Sequence, residues 1–158
     1  MYIYICFVKL EDAIKSSKFK SEVQKAGLNI LYTAWWLKTL SVKELKTFGI
    51  THEQYNVLRI LKGKHPQLMC VKDIASRMIE KSSNVPRIVD RLEIKKFIKR
   101  TQGEVDGRQT VVTLTEKGID VLAKATAKLD EIGEKSIAMT NEDAIALNNL
   151  LEKFRTKE

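Results

Sequence analysis

The side chains with the most chemistry to offer are Asn84, Arg87 and Arg91, set among Ser82, Ser83, Pro86 and Asp90. They are short polar groups and guanidinium forks, a mixture that suits the edges of bases and the oxygens of phosphates. The apolar residues between them, Val85, Ile88, Val89 and Leu92, followed by Lys96/Phe97, have the three-four spacing of one buried helical stripe. Everything else on that helix faces outward. Ser82 or Ser83 is expected to cap it, so that it starts near Ser83 and runs to Lys96, with Pro86 tolerated in a first turn whose amides have no acceptors.

After Phe97 the period falls from about 3.6 to 2, with Ile98, Arg100, Val112 and Leu114 alternating with polar neighbours, as in half-buried strands. A two-stranded hairpin is expected, with its tip at Gly103 to Arg108, because Asp-Gly is a strong turn signal. Arg108 would project from this exposed loop.

A capped basic helix running into a hairpin is a winged helix-turn-helix pattern, and its spelling resembles the MarR family of transcriptional regulators. The resemblance rests on DRLEIKKFIKR at Asp90 to Arg100, the D-x-R of Asp106 and Arg108, VTLTEKG at Val112 to Gly118, and FGITHEQYNVLRIL at Phe48 to Leu61. It implies a mainly α fold with a small β-hairpin wing, a DNA-binding lobe at residues 51–115, and dimerisation helices at residues 9–47 and 116–158 of a single domain. It also implies a homodimer on double-stranded DNA, with the Ser83 to Lys96 helix in a major groove, Arg108 in the adjoining minor groove, and a small aromatic effector.

On this reading Lys72, Ser82, Ser83, Asn84, Pro86, Arg87, Arg91 and Arg108 contact DNA, with base reading assigned chiefly to Asn84, Arg87 and Arg91. Lys72, Arg77 and Lys81 are candidate phosphate anchors. Asp106 either orients Arg108 through a charge-assisted bond or serves only the turn. The effector site is unknown; Tyr32, Trp35 and Trp36 are weak candidates, since aromatic residues at helical spacing are more often core or interface.

Charge supports a polyanion partner. Of the net +8, the segment Met1 to Ile50 carries +4, Thr51 to Thr115 carries +6 and Glu116 to Glu158 carries −2. Lysines and arginines gain affinity for nucleic acid by releasing counterions from phosphates. Two cysteines, Cys6 and Cys70, make neither a disulfide framework nor a metal quartet, and His52 and His65 are too scattered to add ligands. A reduced, cytoplasmic protein without cofactor, metal or membrane span is expected. The apolar opening MYIYICFV lacks the basic and small-residue parts of a signal peptide; it is either an arm that packs on a partner subunit or the product of an upstream start, with Val8 as the true initiator.

The remaining elements must position the reading helix. From Phe19 to Lys46 two apolar stripes are expected, Phe19-Val23-Ala26-Ile30-Ala34-Leu37 and Leu28-Leu31-Trp35-Val42-Leu45, which need two partners. The uncharged stretch AGLNILYTAWWL points to a subunit interface. Thr51 and Gln54 spell a capping box for a helix with Tyr55, Val57, Leu58 and Leu61 inward that ends near Gly63, and His52 is expected to be solvated. Val71 to Met78 is the first helix of the motif, with Cys70 where a Ser or Thr often caps and expected to be buried. Ile79 to Lys81 forms a turn without glycine. Thr115 caps a long helix with the stripe Ile119, Leu122, Thr126, Leu129, which Gly133 bends or ends, and Thr140 with Asp143 opens the last helix.

Three competing functions leave weaker traces. A thiol switch needs a reactive cysteine in the N-terminal helix, and Cys6 lies before it. A winged-helix module that binds protein would favour exposed aromatic anchors over arginines on its reading face. An enzyme would need a Ser/His/Asp set, a phosphate loop or a metal cluster, none of which the sequence spells.

Overall fold

The computed structural model describes residues 8–81, 83–102 and 110–156, so Cys6, Ser82, Asp106 and Arg108 lie outside the described residues. Within them the chain forms α1 (Leu10–Ile14), α2 (Glu22–Thr47), α3 (His52–Lys62), β1 (Met69–Cys70), α4 (Val71–Arg77), α5 (Val85–Ile94), β2 (Ile98–Gln102), β3 (Thr110–Leu114), α6 (Glu116–Ser136) and α7 (Asn141–Arg155). The architecture is mainly α with a small sheet, as the sequence suggests. No helix of the described residues is long and apolar enough to cross a membrane.

The helix starts follow from local chemistry. Each helix from α2 to α7 opens on a side chain that accepts a bond from an otherwise orphaned amide: Ser21, Thr51, Cys70, Asn84, Thr115 and Thr140. Thr51 with Gln54 and Thr140 with Asp143 form full capping boxes. Cys70 does cap α4, its Sγ accepting from the Asp73 amide at 3.4 Å, but it is half-buried rather than buried. His52 is not solvated either: it is half-buried, with Nδ1 3.2 Å from the Ser41 hydroxyl.

One core joins α3, α4, α5 and the sheet to the C-terminal end of α2 and the N-terminal half of α6. Leu45, Leu58, Leu61, Ile74, Met78, Val89, Leu92 and Val112 are fully enclosed. Each such side chain contributes roughly 1.5–3 kcal/mol. The α3 residues Tyr55, Val57, Leu58 and Leu61 all point inward, as their spacing requires.

The sheet is more than a hairpin. Among the described residues it has three antiparallel strands in the order β1-β3-β2, with Ile98 opposite Leu114 and Arg100 opposite Val112 on one side of β3, and Met69 opposite Val112 on the other. Two residues of β1 carry no period, so only their tertiary partner defines them as a strand.

The terminal helices differ from this core. In α2 only Leu45 is buried, while Val23, Leu31 and Trp35 are 70%, 69% and 59% exposed; the two expected stripes therefore find no second partner among the described residues. No residue of α7 is buried, and Ile145, Leu150 and Phe154 stand largely free, with Phe154 lying against α2 near Gly27. The long helix α6 runs past Gly133 to Ser136 instead of ending there.

Candidate nucleic-acid interface

Helix α5 starts later than the sequence suggests. Its cap is Asn84, whose Oδ1 accepts from the Arg87 amide at 3.2 Å, and Pro86 falls at the second helical position. Asn and Ser cap equally well, and this start places the missing proline amide among those with no helical acceptor. It also aligns Val85, Val89 and Leu92 as a buried stripe. Ser83 is consequently not an outward residue: it is half-buried, with its hydroxyl shielded from solvent and without a partner among the described residues. Asn84, Pro86, Arg87, Asp90 and Arg91 are exposed along the helix and its cap. Asn84 uses its carbonyl as a cap, which leaves its amide group free to donate outward.

The other end closes at Ile94, short of Lys96. Phe97 N–H donates to Leu92 O at 3.0 Å and Lys96 N–H to Glu93 O at 2.7 Å, the paired bonds of a Schellman stop, with buried Phe97 following as its apolar contact. Lys96 sits at φ 60°, a left-handed conformation that glycine normally fills.

Four contacts hold α5 in place, and none is local in sequence. The Arg100 guanidinium on β2 pairs with Asp90 and lies 3.1 Å from Glu93, so the sheet grips the outer face of the helix. Asp90 is therefore exposed but committed. Lys38 of α2 bonds Glu80 at 2.7 Å in the turn before α5 and lies 3.5 Å from Glu53 of α3. The Glu80 hydrogen bond holds the Lys38 ammonium above the usual lysine range. At the N-terminus of α6, Thr115 donates its amide to Phe97 O at 3.1 Å and its hydroxyl to Lys96 O at 2.8 Å. A Cβ at Gly118 would stand 1.9 Å from Phe97 O, so only glycine permits this approach. Lastly, Lys95 Nζ donates to Gly49 O at 2.6 Å and Gln54 Oε1 at 2.8 Å.

Of the expected anchors, Lys72, Arg77 and Lys81 are exposed around α4, and Lys81 closes that helix by donating to Ser76 O at 2.5 Å. The proposed contacts Ser82 and Arg108, and Asp106 with its turn, lie outside the described residues. Tyr32 and Trp35 stack at 5.6 Å with a 40° tilt on α2, and Trp36 is half-buried. Neither of two clefts among the described residues includes them. One cleft, about 530 Å³, lies between α3 and α6, with Arg59, Lys62 and Asp130 around Leu122 and Thr126. The other, about 350 Å³, lies between the start of α3 and the α5 side chains Asn84, Arg87 and Arg91, with Thr51, Gln54 and Ser83 in its wall. Nothing in the local sequence pattern marks either, because both are made by helices that meet in space.

An exposed helix with two guanidinium groups, seated on a compact lobe and backed by a strand pair, defines a winged-helix DNA-binding protein. Residues 50–110 match the model of the MarR family. The HTH-type transcriptional regulator MgrA of Staphylococcus aureus is 28% identical over 113 residues, 72% of this chain and 75% of MgrA. A MarR transcription factor from Planctomyces limnophilus is 27% identical with a TM-score of 0.65, covering 87% of this chain and 96% of that one. The fold also matches, at a TM-score of 0.75 and 16% identity, a structure describing how 6-hydroxynicotinic acid regulates DNA binding by BpsR of Bordetella bronchiseptica, over 89% of this chain and all of that one. Residues 50–110 thus carry a MarR-type winged-helix domain, and the chain is similar over most of its length to DNA-binding transcriptional regulators of that family.

Proposed function

We propose that the protein acts in the cytoplasm as a homodimer on a palindromic operator and that a small aromatic ligand modulates its occupancy. Residues 51–115 read DNA, while residues 9–47 and 116–158 join the two copies. The observation that carries this reading is the contrast between the closed lobe and the exposed apolar side chains on α2 and α7, including Leu31, Trp35, Leu150 and Phe154. A surface of this kind is costly in water unless a second surface covers it, and a two-fold axis supplies an identical one.

Asn84, Arg87 and Arg91 face the major groove, with half-sites about one helical turn apart, and Lys72 anchors a phosphate. Arg108 extends into the minor groove; Arg108→Ala weakens operator binding with little change in fold, as measured by titration beside thermal unfolding. A dimer with about 6 to 10 phosphate contacts loses roughly 10³ to 10⁵ in affinity between 50 and 200 mM salt. The ligand arm draws on the BpsR comparison and on the cleft between α3 and α6, where Arg59 and Lys62 flank an apolar floor suited to an aromatic anion.

Selection of bound duplexes from random oligonucleotides at fixed salt tests the reading. It is expected to enrich a palindrome, and binding repeated with aromatic acids is expected to weaken. Enrichment of no palindromic sequence contradicts the dimeric operator reading.

A further inference from the structure

Lys95 caps the C-terminal end of α5 and is half-buried, one and two turns on from Arg91 and Arg87 along the same stripe of the helix, with its ammonium reaching into the bend between α2 and α3. There it donates to Gly49 O and to Oε1 of Gln54, which is 2% exposed. That same Oε1 accepts the Thr51 amide at 3.2 Å to complete the capping box of α3. The Lys95 carbonyl meanwhile accepts from Lys117 Nζ at 3.2 Å at the start of α6. One residue thus ties the end of α5 to the elbow of α2, the start of α3 and the start of α6. Burial, followed by the charge of Arg91, lowers its affinity for a proton below the usual lysine range, in keeping with an ammonium taken out of solvent.

We propose that Lys95 is a positioning residue for operator recognition: it sets the angle of α5 on the α2–α3 bend without touching DNA. The lever is simple. Arg87 lies eight residues from Lys95, about 12 Å along the helix at 1.5 Å per residue, so a tilt of about 5° at the Lys95 end moves the reading end by about 1 Å. A bidentate guanidinium–guanine pair does not survive such a shift, whereas a phosphate contact, which reads charge, largely does. Losing the ammonium also leaves the Gln54 and Gly49 oxygens short of a donor, which favours movement of the bend. Lys95 therefore governs selectivity more than gross affinity.

The inference rests on the reading that the protein binds a specific operator. The test compares the full-length protein with Lys95→Met, which keeps the apolar stem, and Gln54→Glu, which keeps the capping-box acceptor and offers Lys95 a carboxylate. Affinity for the selected operator and for a scrambled duplex is measured across a salt series, beside urea unfolding. Lys95→Met is expected to lose about tenfold or more on the operator, the size of one lost base contact, with the scrambled duplex changed by less than about threefold and the slope of log K against log salt kept. Gln54→Glu is expected to hold operator affinity within about twofold of the parent, given that its partner bond becomes charge-assisted.

A slope shallower by about 1.8, or about 0.9 for each of the two copies, with an unchanged operator-to-scrambled ratio makes Lys95 a phosphate contact and overturns the proposal. An unchanged ratio and slope overturn it too. If Lys95→Met does not fold, Gln54→Glu decides alone: a tenfold loss on the operator contradicts a clamp that its carboxylate should strengthen, and retention supports it. Failure of the parent protein to select any sequence sinks the operator reading instead, a different outcome from a Lys95 variant that behaves like its parent.

Discussion

The lobe around α3, α4, α5 and the sheet is complete within one chain, and the terminal helices are not. In the lobe, Val57, Leu58, Ile74, Val89, Leu92 and Val112 have no exposed surface. In α2 and α7 the residues of the same type, Val23, Leu31, Ile145 and Leu150, have 60% or more of theirs exposed. Both regions obey the same helical periodicity, so the pattern alone does not distinguish a buried stripe from one that awaits a partner. The difference teaches where the protein's specificity resides. On the proposed reading the lobe accounts for the chemistry of contact with DNA, and the terminal helices, by joining two lobes, would set the spacing at which that contact is made.

The most severe way to break this contrast is to charge the open face. Leu31→Glu is expected to leave the lobe folded, to yield a monomer by light scattering, and to weaken operator binding by roughly 10²- to 10⁴-fold as bivalent engagement is lost. A dimer of unchanged affinity would place the interface elsewhere. Next in size, Gly118→Val drives a side chain into the Phe97 carbonyl and is expected to cost about 3 kcal/mol or more in urea unfolding, a loss confined to the lobe and independent of dimer concentration. A cost below 1 kcal/mol would mean that the junction of α5 and α6 yields easily.

A smaller effect is expected on the reading face. Arg87→Ala should cost about 1–3 kcal/mol per half-site and relax selection at one base position in each, with thermal stability unchanged. Uniform weakening on all sequences would reassign Arg87 to phosphate. Smallest, and opposite in sign, is Lys96→Gly. Relief of a left-handed lysine outweighs the entropy that glycine adds to the unfolded chain, for a gain of about 0.5–1 kcal/mol in chemical denaturation. No gain would show that the Lys96 side chain offsets its backbone strain through contacts of its own.

Features encoded within a few residues were legible in the sequence: the capping boxes at Thr51 and Thr140, the caps at Cys70 and Thr115, and the inward faces of α3 and α5. Each is an interaction between positions three or four apart, so spacing reveals it. The start of α5 was misplaced because Ser82, Ser83 and Asn84 are all good caps, and only the burial of Val85 and the Asn84–Arg87 bond separate them. What holds α5 was not legible at all. Lys38 reaches Glu80 across 42 residues and Lys95 reaches Gly49 across 46, and no local pattern marks such partners. The strand β1 was missed for the same reason, since two residues become a strand only beside β3. On α2 the apolar stripes were legible, but not how little of them this chain buries, because periodicity marks a face and not what covers it.

The account depends most on two chains reading one site, and the mass of the protein–operator complex in solution tests it most directly. With the selected duplex at micromolar protein and near-physiological salt, the account predicts two copies of the 18.1 kDa chain per duplex and no stable complex with one. A complex saturating at a single chain per duplex, with full operator affinity, would contradict it.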